Sequence, residues 1–149
     1  MSTSDAVKEF KNGFSALREG YQRRALAHFK KALELDSRNP FYLSYLGLAL
    51  AMVEGQWAEA EELCLKALRM RRCQPELYLN LAEVYRRAGK KEDAVWTLEQ
   101  GALFTKRDLR VAQAMDKLGV RQPPVFSFLD RKNPLNRGLG KLRHKVFPK

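Results

Sequence analysis

The sequence predicts an all-α protein: a right-handed α-solenoid of three helix-turn-helix units, a capping helix and an irregular C-terminal tail. Three observations support this fold class. Apolar residues recur at helical spacing through most of residues 6–118. A set of positions repeats at steps of 35 and then 34 residues, which indicates a repeat architecture. No segment shows the alternating apolar pattern of a β-strand.

The repeat is clearest in the second helix of each unit, where small residues alternate with larger apolar ones. The matched positions are Gly20, Gly55 and Gly89; Ala25, Ala60 and Ala94; Phe29, Cys64 and Leu98; and Ala32, Ala67 and Gly101. Each glycine follows a predicted first helix and provides its stop signal. A small residue on a buried face lets another helix approach closely. One unit cannot bury its own apolar face, so three must stack.

The second unit holds one more residue than its neighbours. Pro40 and Pro75 are 35 residues apart, whereas Ala16 and Leu50 are 34 apart. The additional residue is therefore predicted within residues 51–54.

The segment YLNLAEVYRRAGKKEDAVWTLEQGAL, residues 78–103, resembles the tetratricopeptide repeat family, and LGLALAMVEGQWAEAEELCLKAL, residues 46–68, is a second copy. A first copy, residues 12–36, departs from the pattern in its first helix, where Asn12 and Ala16 replace larger residues. The resemblance covers about residues 6–106. It implies units at about 6–39, 40–74 and 75–106 within a domain of residues 6–119, preceded by a disordered stretch at residues 1–5.

A capping helix is predicted at about residues 107–118, where it would cover the open apolar edge of the third unit. Two apolar faces are compatible with its sequence, and Gly119 ends it in either case. The alternatives are Leu109, Ala112 and Met115, or Val111, Ala114, Met115 and Leu118.

Residues 120–149 form a basic, partly apolar C-terminal extension, because residues 121–149 contain 8 Lys or Arg and 1 Asp. Three interpretations remain open: the tail folds back on the solenoid, it binds nucleic acid or a membrane surface, or a partner takes it as a short linear motif. The predicted contact residues are Phe126, Phe128, Leu135, Arg137, Leu139, Lys141, Leu142 and Arg143.

Residues that could perform catalysis are scarce. The two histidines, His28 and His144, have no Cys, Asp or Ser at a spacing typical of a triad or a metal site. Cys64 lies on the inward column and Cys73 in a turn, so both are predicted to be reduced thiols. The sequence therefore predicts a protein without catalytic activity, cofactor or metal. It contains no apolar run long enough to cross a membrane, and we expect a cytoplasmic protein.

The resemblance implies that the first helices of the units line a concave face that binds extended or helical peptides. In this sequence the lining positions carried over by register are Phe10, Phe14, Leu17, Ser44, Leu48, Leu79, Glu83, Arg86 and Arg87. The face would be apolar at its N-terminal end and charged at its C-terminal end.

One subtype of the family clamps the acidic C-terminal tails of heat-shock chaperones with lysine, arginine and asparagine side chains. Lys8 and Asn12 imitate part of that set but lie two positions before the required register. The residues that stand in register are Phe10, Phe14, Tyr45, Glu76 and Asn80. Because Glu76 would repel a carboxylate, this clamp is not expected here.

The sequence thus predicts a protein-protein interaction scaffold or adaptor with a protein or peptide ligand. A nucleic-acid-associated adaptor that uses the basic tail is one alternative, consistent with the net charge of +11. A secretion-type chaperone is the other.

Overall fold

The computed structural model describes residues 3–119, and this part of the chain forms helices and no strand. The seven helices are α1 (Thr3–Arg18), α2 (Gln22–Leu35), α3 (Pro40–Glu54), α4 (Trp57–Met70), α5 (Pro75–Arg87), α6 (Lys91–Phe104) and α7 (Leu109–Lys117). Helices α1 and α2, α3 and α4, and α5 and α6 pack as three pairs, and α7 follows them. The predicted all-α fold is confirmed.

The first helix starts earlier than the sequence analysis placed it. Residues 3–5 were expected to be disordered, but they form the first turn of α1. Ala6 is fully buried in a cluster with Ala32 and Tyr42, and Asp5 supplies an acidic side chain to the positive end of the helix dipole. This packing extends the helix to Thr3.

The turn between the helices of each unit depends on its glycine. Gly20, Gly55 and Gly89 have φ values of 87°, 60° and 77°, a left-handed backbone that residues with a Cβ rarely adopt. In the first unit the amide of Tyr21 then donates to the carbonyl of Ala16 at 2.8 Å, which closes the end of α1. The predicted role of the glycines as helix stops is confirmed.

Successive units stack in chain order: α2 packs on α3, α4 packs on α5, and α3 packs directly on α5. Helix α3 has 15 residues and α5 has 13. Residues 51–54, where the additional residue of the second unit is predicted, form the last turn of α3.

The recurrent alanines lie inside the core. Ala25, Ala60 and Ala94 are each 0% exposed. A second set of small residues, absent from the predicted repeat columns, lies on the first helices of the units. It consists of Gly13, Gly47 and Ala82. At Gly47 an added Cβ would lie 2.8 Å from the carbonyl oxygen of Ala60, so only glycine fits there. These small residues set the distance between the two helices of a unit.

Helix α7 packs on α5 and α6 through Val111 and Met115, which are buried. The second of the two predicted faces is therefore the one used, and the first is wrong for Leu109, which is 70% exposed. The chain reaches α7 through Lys106 and Arg107, whose φ values of 53° and 60° are left-handed. The side chain of Asp108 then accepts a hydrogen bond from the amide of Arg110 at 2.9 Å and caps the new helix.

Candidate functional site

Three aromatic side chains meet on the surface formed by α1 and α3. The ring of Tyr45 lies edge-on to Phe10 at a centroid distance of 5.3 Å and to Phe14 at 5.7 Å. Phe10 and Phe14 are one helical turn apart, with centroids at 6.4 Å. Phe14 is 37% exposed, and Phe10 and Tyr45 are partly buried. We call these three residues the aromatic triad.

Buried rings support the triad from behind. Tyr42 lies 5.0 Å from Phe10, and Phe29 lies 5.6 Å from Tyr45, measured between centroids. Phe29 is fully buried and Tyr42 nearly so, so the rings of the triad cannot sink further into the core. Helix α1 contacts α3 through this ring layer and not through close backbone approach. The triad is therefore a fixed apolar surface with one ring open to solvent.

The middle of the predicted face is closed, which corrects two predicted site residues. Ser44 is 0% exposed and Leu48 is 7% exposed. The Ser44 hydroxyl accepts a hydrogen bond from Asn80 Nδ2 at 3.0 Å, and this contact joins α3 to α5. Because the two helices approach so closely, Ser44 and Leu48 belong to the interface between units and do not line a surface. Leu17 is also partly buried against the core.

At the C-terminal end of the predicted face, three of the predicted residues, Leu79, Glu83 and Arg86, line a cleft of about 140 Å³ between α5 and α7. Arg86 donates to the carboxylate of Glu83 at 2.7 and 2.8 Å, and Arg87 Nε donates to it at 2.7 Å. The hydrogen bonds from Arg86 and then Arg87 lower the pKa of Glu83, although its partial burial acts in the opposite direction. Two of the predicted cations are therefore already bound to an acid on their own helix.

The starts of α5 and α7 are joined by an ion-pair group that includes a residue absent from the predicted site. Arg110 Nη1 donates to Glu76 Oε1 at 2.7 Å, and Arg110 also contacts the carboxylate of Asp108 at 3.2 and 3.3 Å. The bonds to Asp108 and then Glu76 raise the pKa of Arg110. Glu76, expected to repel a carboxylate, thus has a cationic partner supplied by α7.

Tyr45 is the second residue missing from the predicted site. The sequence did carry a signal for it, because Tyr45 stands at a binding register position of the second unit. Burial, followed by the nearby Glu76 carboxylate, raises the pKa of its phenol. The group is therefore neutral at physiological pH and able to donate a hydrogen bond.

The remaining reactive side chains have structural surroundings. His28 Nδ1 lies 2.7 Å from Glu9 Oε2 and ties α2 to α1. Cys64 is buried, and burial raises the pKa of its thiol to about 12, whereas Cys73 is exposed. Within residues 3–119 no group of three His, Cys, Asp or Glu side chains could hold a metal ion.

The predicted tail contacts lie outside the described residues, so the nucleic-acid alternative that depends on them stays a prediction. Within residues 3–119 none of the helices is both long and apolar enough to cross a bilayer.

Comparison with known proteins agrees with the repeats. A tetratricopeptide repeat family model matches residues 51–118. The TPR repeat-containing thioredoxin TTL4 of Arabidopsis thaliana is 35% identical over 118 residues, which are 78% of this chain and 17% of that protein. The chain therefore spans less than a fifth of this relative's length.

Solved structures share the fold at low identity. The TPR domain of Arabidopsis OM64 matches with a TM-score of 0.65 and 15% identity, over 78% of this chain and 96% of that domain. The second TPR domain of human RPAP3, solved with the HSP70 peptide SGPTIEEVD, matches with a TM-score of 0.62 and 18% identity, over 79% and 98%. With three stacked helix pairs, recurrent alanines and left-handed glycine turns, the described part of this chain has the tetratricopeptide repeat fold, and residues 51–118 match the model of that family.

Proposed function

We propose that the protein is a non-catalytic adaptor that binds a peptide or a helix of a partner in the groove formed by α1, α3 and α5. The observation that carries this proposal is the aromatic triad, Phe10, Phe14 and Tyr45, on the groove side of the units. The triad holds an apolar side chain of the partner, and the groups around Arg110 and Glu83 contact its polar parts.

The physical argument rests on how aromatic rings contribute to recognition. Fixed rings bury a large apolar area at little cost in side-chain entropy, and they dominate many interfaces. Phe14 is 37% exposed beside two rings that are held by the core. An aliphatic or aromatic side chain that covers Phe14 removes this apolar area from water without any rearrangement of the helices.

The groove is not suited to an acidic chain end such as the SGPTIEEVD peptide in the RPAP3 structure. The register positions at which the resemblance implies cations and amides carry the triad, Glu76 and Asn80, and the amide of Asn80 is already bonded to Ser44. Arg110, the nearby cation, already contacts two carboxylates. A peptide carboxylate would therefore have to compete with Glu76 and Asp108, whereas an apolar anchor meets complementary rings.

Selection from a displayed library of random linear peptides against the full chain tests this proposal. We expect enrichment of sequences with a large apolar anchor. The Phe14→Ala substitution should lower the affinity for the synthesised peptides roughly tenfold to thirtyfold, as measured by calorimetry. Tyr21→Ala, which removes an aromatic ring that is 54% exposed on another part of the surface, is the matched control and should leave binding unchanged.

The same experiment can contradict the proposal in two ways. Peptides that end in acidic residues and bind equally well to Phe14→Ala would show that the triad is not the anchor site. Saturable binding of SGPTIEEVD itself would show that the ion pairs of Arg110 open to accept carboxylates.

A further inference from the structure

Five exposed cations gather at the ends of α4 and α6 and in the turns that follow these helices. They are Arg69, Arg71, Arg72, Lys106 and Arg107. Because α4 and α6 occupy equivalent places in successive units, their C-terminal ends lie at the same edge of the solenoid. We call this surface the basic edge. The two carboxylates that start the next helices there, Glu76 and Asp108, are both bonded to Arg110, so positive charge prevails.

Large apolar side chains are exposed among these cations. Met70 is 44% exposed, Leu103 is 74% exposed and Leu109 is 70% exposed. Single exposed aliphatic residues are ordinary on protein surfaces. Here, however, three of them lie at one edge, with Met70 between two arginines and Leu109 two residues after Arg107. Cations combined with exposed aliphatic side chains are typical of surfaces that lie in a membrane interface.

Contacts within the protein hold the two turns of the basic edge together. The hydroxyl of Tyr78 donates to the carbonyl of Arg72 at 2.7 Å, and its ring stacks parallel to Phe104 at 6.5 Å. Tyr78 is 1% exposed, so it anchors both turns from the core. The ion pair between Arg110 and Glu76 joins the starts of α7 and α5. The edge is therefore presented as one preformed surface.

We propose that the basic edge docks on the surface of an anionic lipid bilayer, with the cations at the headgroups and the three aliphatic side chains in the interfacial layer. Nucleic acid would use the same cations but would gain little from Met70, Leu103 and Leu109, so the composition favours lipid. This activity does not use the aromatic triad of the proposed peptide groove, which lies on α1 and α3. Docking in this way places a bound partner at a membrane surface.

Cys73 offers a direct test because it is exposed within the basic edge, whereas Cys64 is buried and its thiol pKa is about 12. At neutral pH a polarity-sensitive fluorophore therefore labels Cys73 in the full chain. We expect its emission to shift to shorter wavelength, with quenching by brominated lipid, on vesicles of equal parts phosphatidylserine and phosphatidylcholine. Vesicles of phosphatidylcholine alone should give no response.

Variants separate the contributions of charge and insertion. Arg71→Gln with Lys106→Gln should weaken vesicle binding about thirtyfold, since each cation near an anionic surface contributes about fivefold. Arg23→Gln with Lys91→Gln makes the same charge change at exposed sites on the opposite edge and should have little effect. Leu103→Ser with Leu109→Ser should remove the quenching. Both leucines are largely exposed, so thermal unfolding should be unchanged.

Three results would overturn the proposal. The first is sedimentation with anionic vesicles while the Cys73 fluorophore keeps its emission, which would assign binding to the basic tail. The second is the absence of binding to either kind of vesicle. The third is displacement of the vesicles by a single-stranded oligonucleotide whose affinity depends on Arg71 and Lys106 but not on Leu103 and Leu109, which would identify a nucleic-acid surface.

Discussion

Gly47 shows, at the scale of one residue, how closely the helices of a unit approach. Its equivalents are Gly13 in the first unit and Ala82 in the third, so the column contains only the smallest side chains. An added Cβ at Gly47 would lie 2.8 Å from the carbonyl oxygen of Ala60 and 2.9 Å from Cys64 Sγ. At Gly13 it would meet the ring edge of Phe29, which has more freedom to tilt than a backbone carbonyl.

Gly47→Ala is therefore expected to lower the free energy of unfolding by up to about 2 kcal/mol. The overpacking penalty of about 1–3 kcal/mol exceeds the gain of about 1 kcal/mol from alanine's helix propensity. Urea denaturation followed by circular dichroism measures the difference. The Gly13→Ala substitution should lower the free energy of unfolding by less than Gly47→Ala does. If Gly47→Ala is more stable than the parent, α3 and α4 do not approach as closely as described.

At the scale of the element, α3 and α5 begin in the same way but are capped differently. Each starts with a proline at its first position, preceded by extended backbone at Asn39 and Gln74. The Asn39 side chain accepts a hydrogen bond from the amide of Phe41 at 2.9 Å. The longer Gln74 side chain makes no such bond. Helix α5 thus lacks a cap that its repeat-equivalent helix has.

Two opposite substitutions test the capping difference. Asn39→Ala should lower the free energy of unfolding by about 1 kcal/mol, because an orphan amide loses its partner. Gln74→Asn should raise it by roughly 0.5–1 kcal/mol, because the shorter side chain reaches the equivalent amide of α5. Urea midpoints of the two variants should move in opposite directions. A shift of both in the same direction would show that contacts other than the cap determine the effect.

At the scale of the whole molecule, two acids whose pKa values change in opposite directions contribute to the pH dependence of stability. Hydrogen bonds from His28 and Lys31 lower the pKa of Glu9 from its ordinary value of 4.5 and join α1 to α2. Burial raises the pKa of Glu99 on α6. A lowered pKa stabilises the fold above the unfolded value, and this contribution disappears as the pH falls through the folded value. An acid whose pKa is raised in the folded state destabilises the fold at high pH, and this cost disappears as the pH falls below its unfolded value.

Glu9→Gln should therefore be less stable than the parent at pH 7, and the difference should shrink as the pH falls below 4.5. Glu99→Gln should be more stable at pH 7, because burial of a charge is avoided, and its advantage should shrink as the pH falls toward the raised pKa. Urea midpoints measured between pH 7 and pH 3 check both. A constant difference for Glu9→Gln at every pH would exclude the ion pair as its cause.

The fold was readable from the sequence because its packing repeats. Ala25, Ala60 and Ala94 are all completely buried, so the same small residue recurs at the equivalent position of each unit. The candidate site was less predictable. Register alone placed Ser44 on a surface, but the approach of Asn80 from the next unit closes that position. Arg110 lies in α7, outside the three units, so no repeated column pointed to it.

The ring layer between α1 and α3 makes the contacts between the first helices of successive units differ in their tolerance to change. Between α3 and α5, a buried hydrogen bond from Asn80 to Ser44 requires one pair of partners at one distance. Between α1 and α3, the separation is filled by side-chain volume, chiefly Phe10 and Tyr42. Exchange among large apolar residues there changes the width and shape of the groove while keeping the stack closed. The first unit is thus the adjustable end of the protein, where a new ligand preference requires the fewest substitutions.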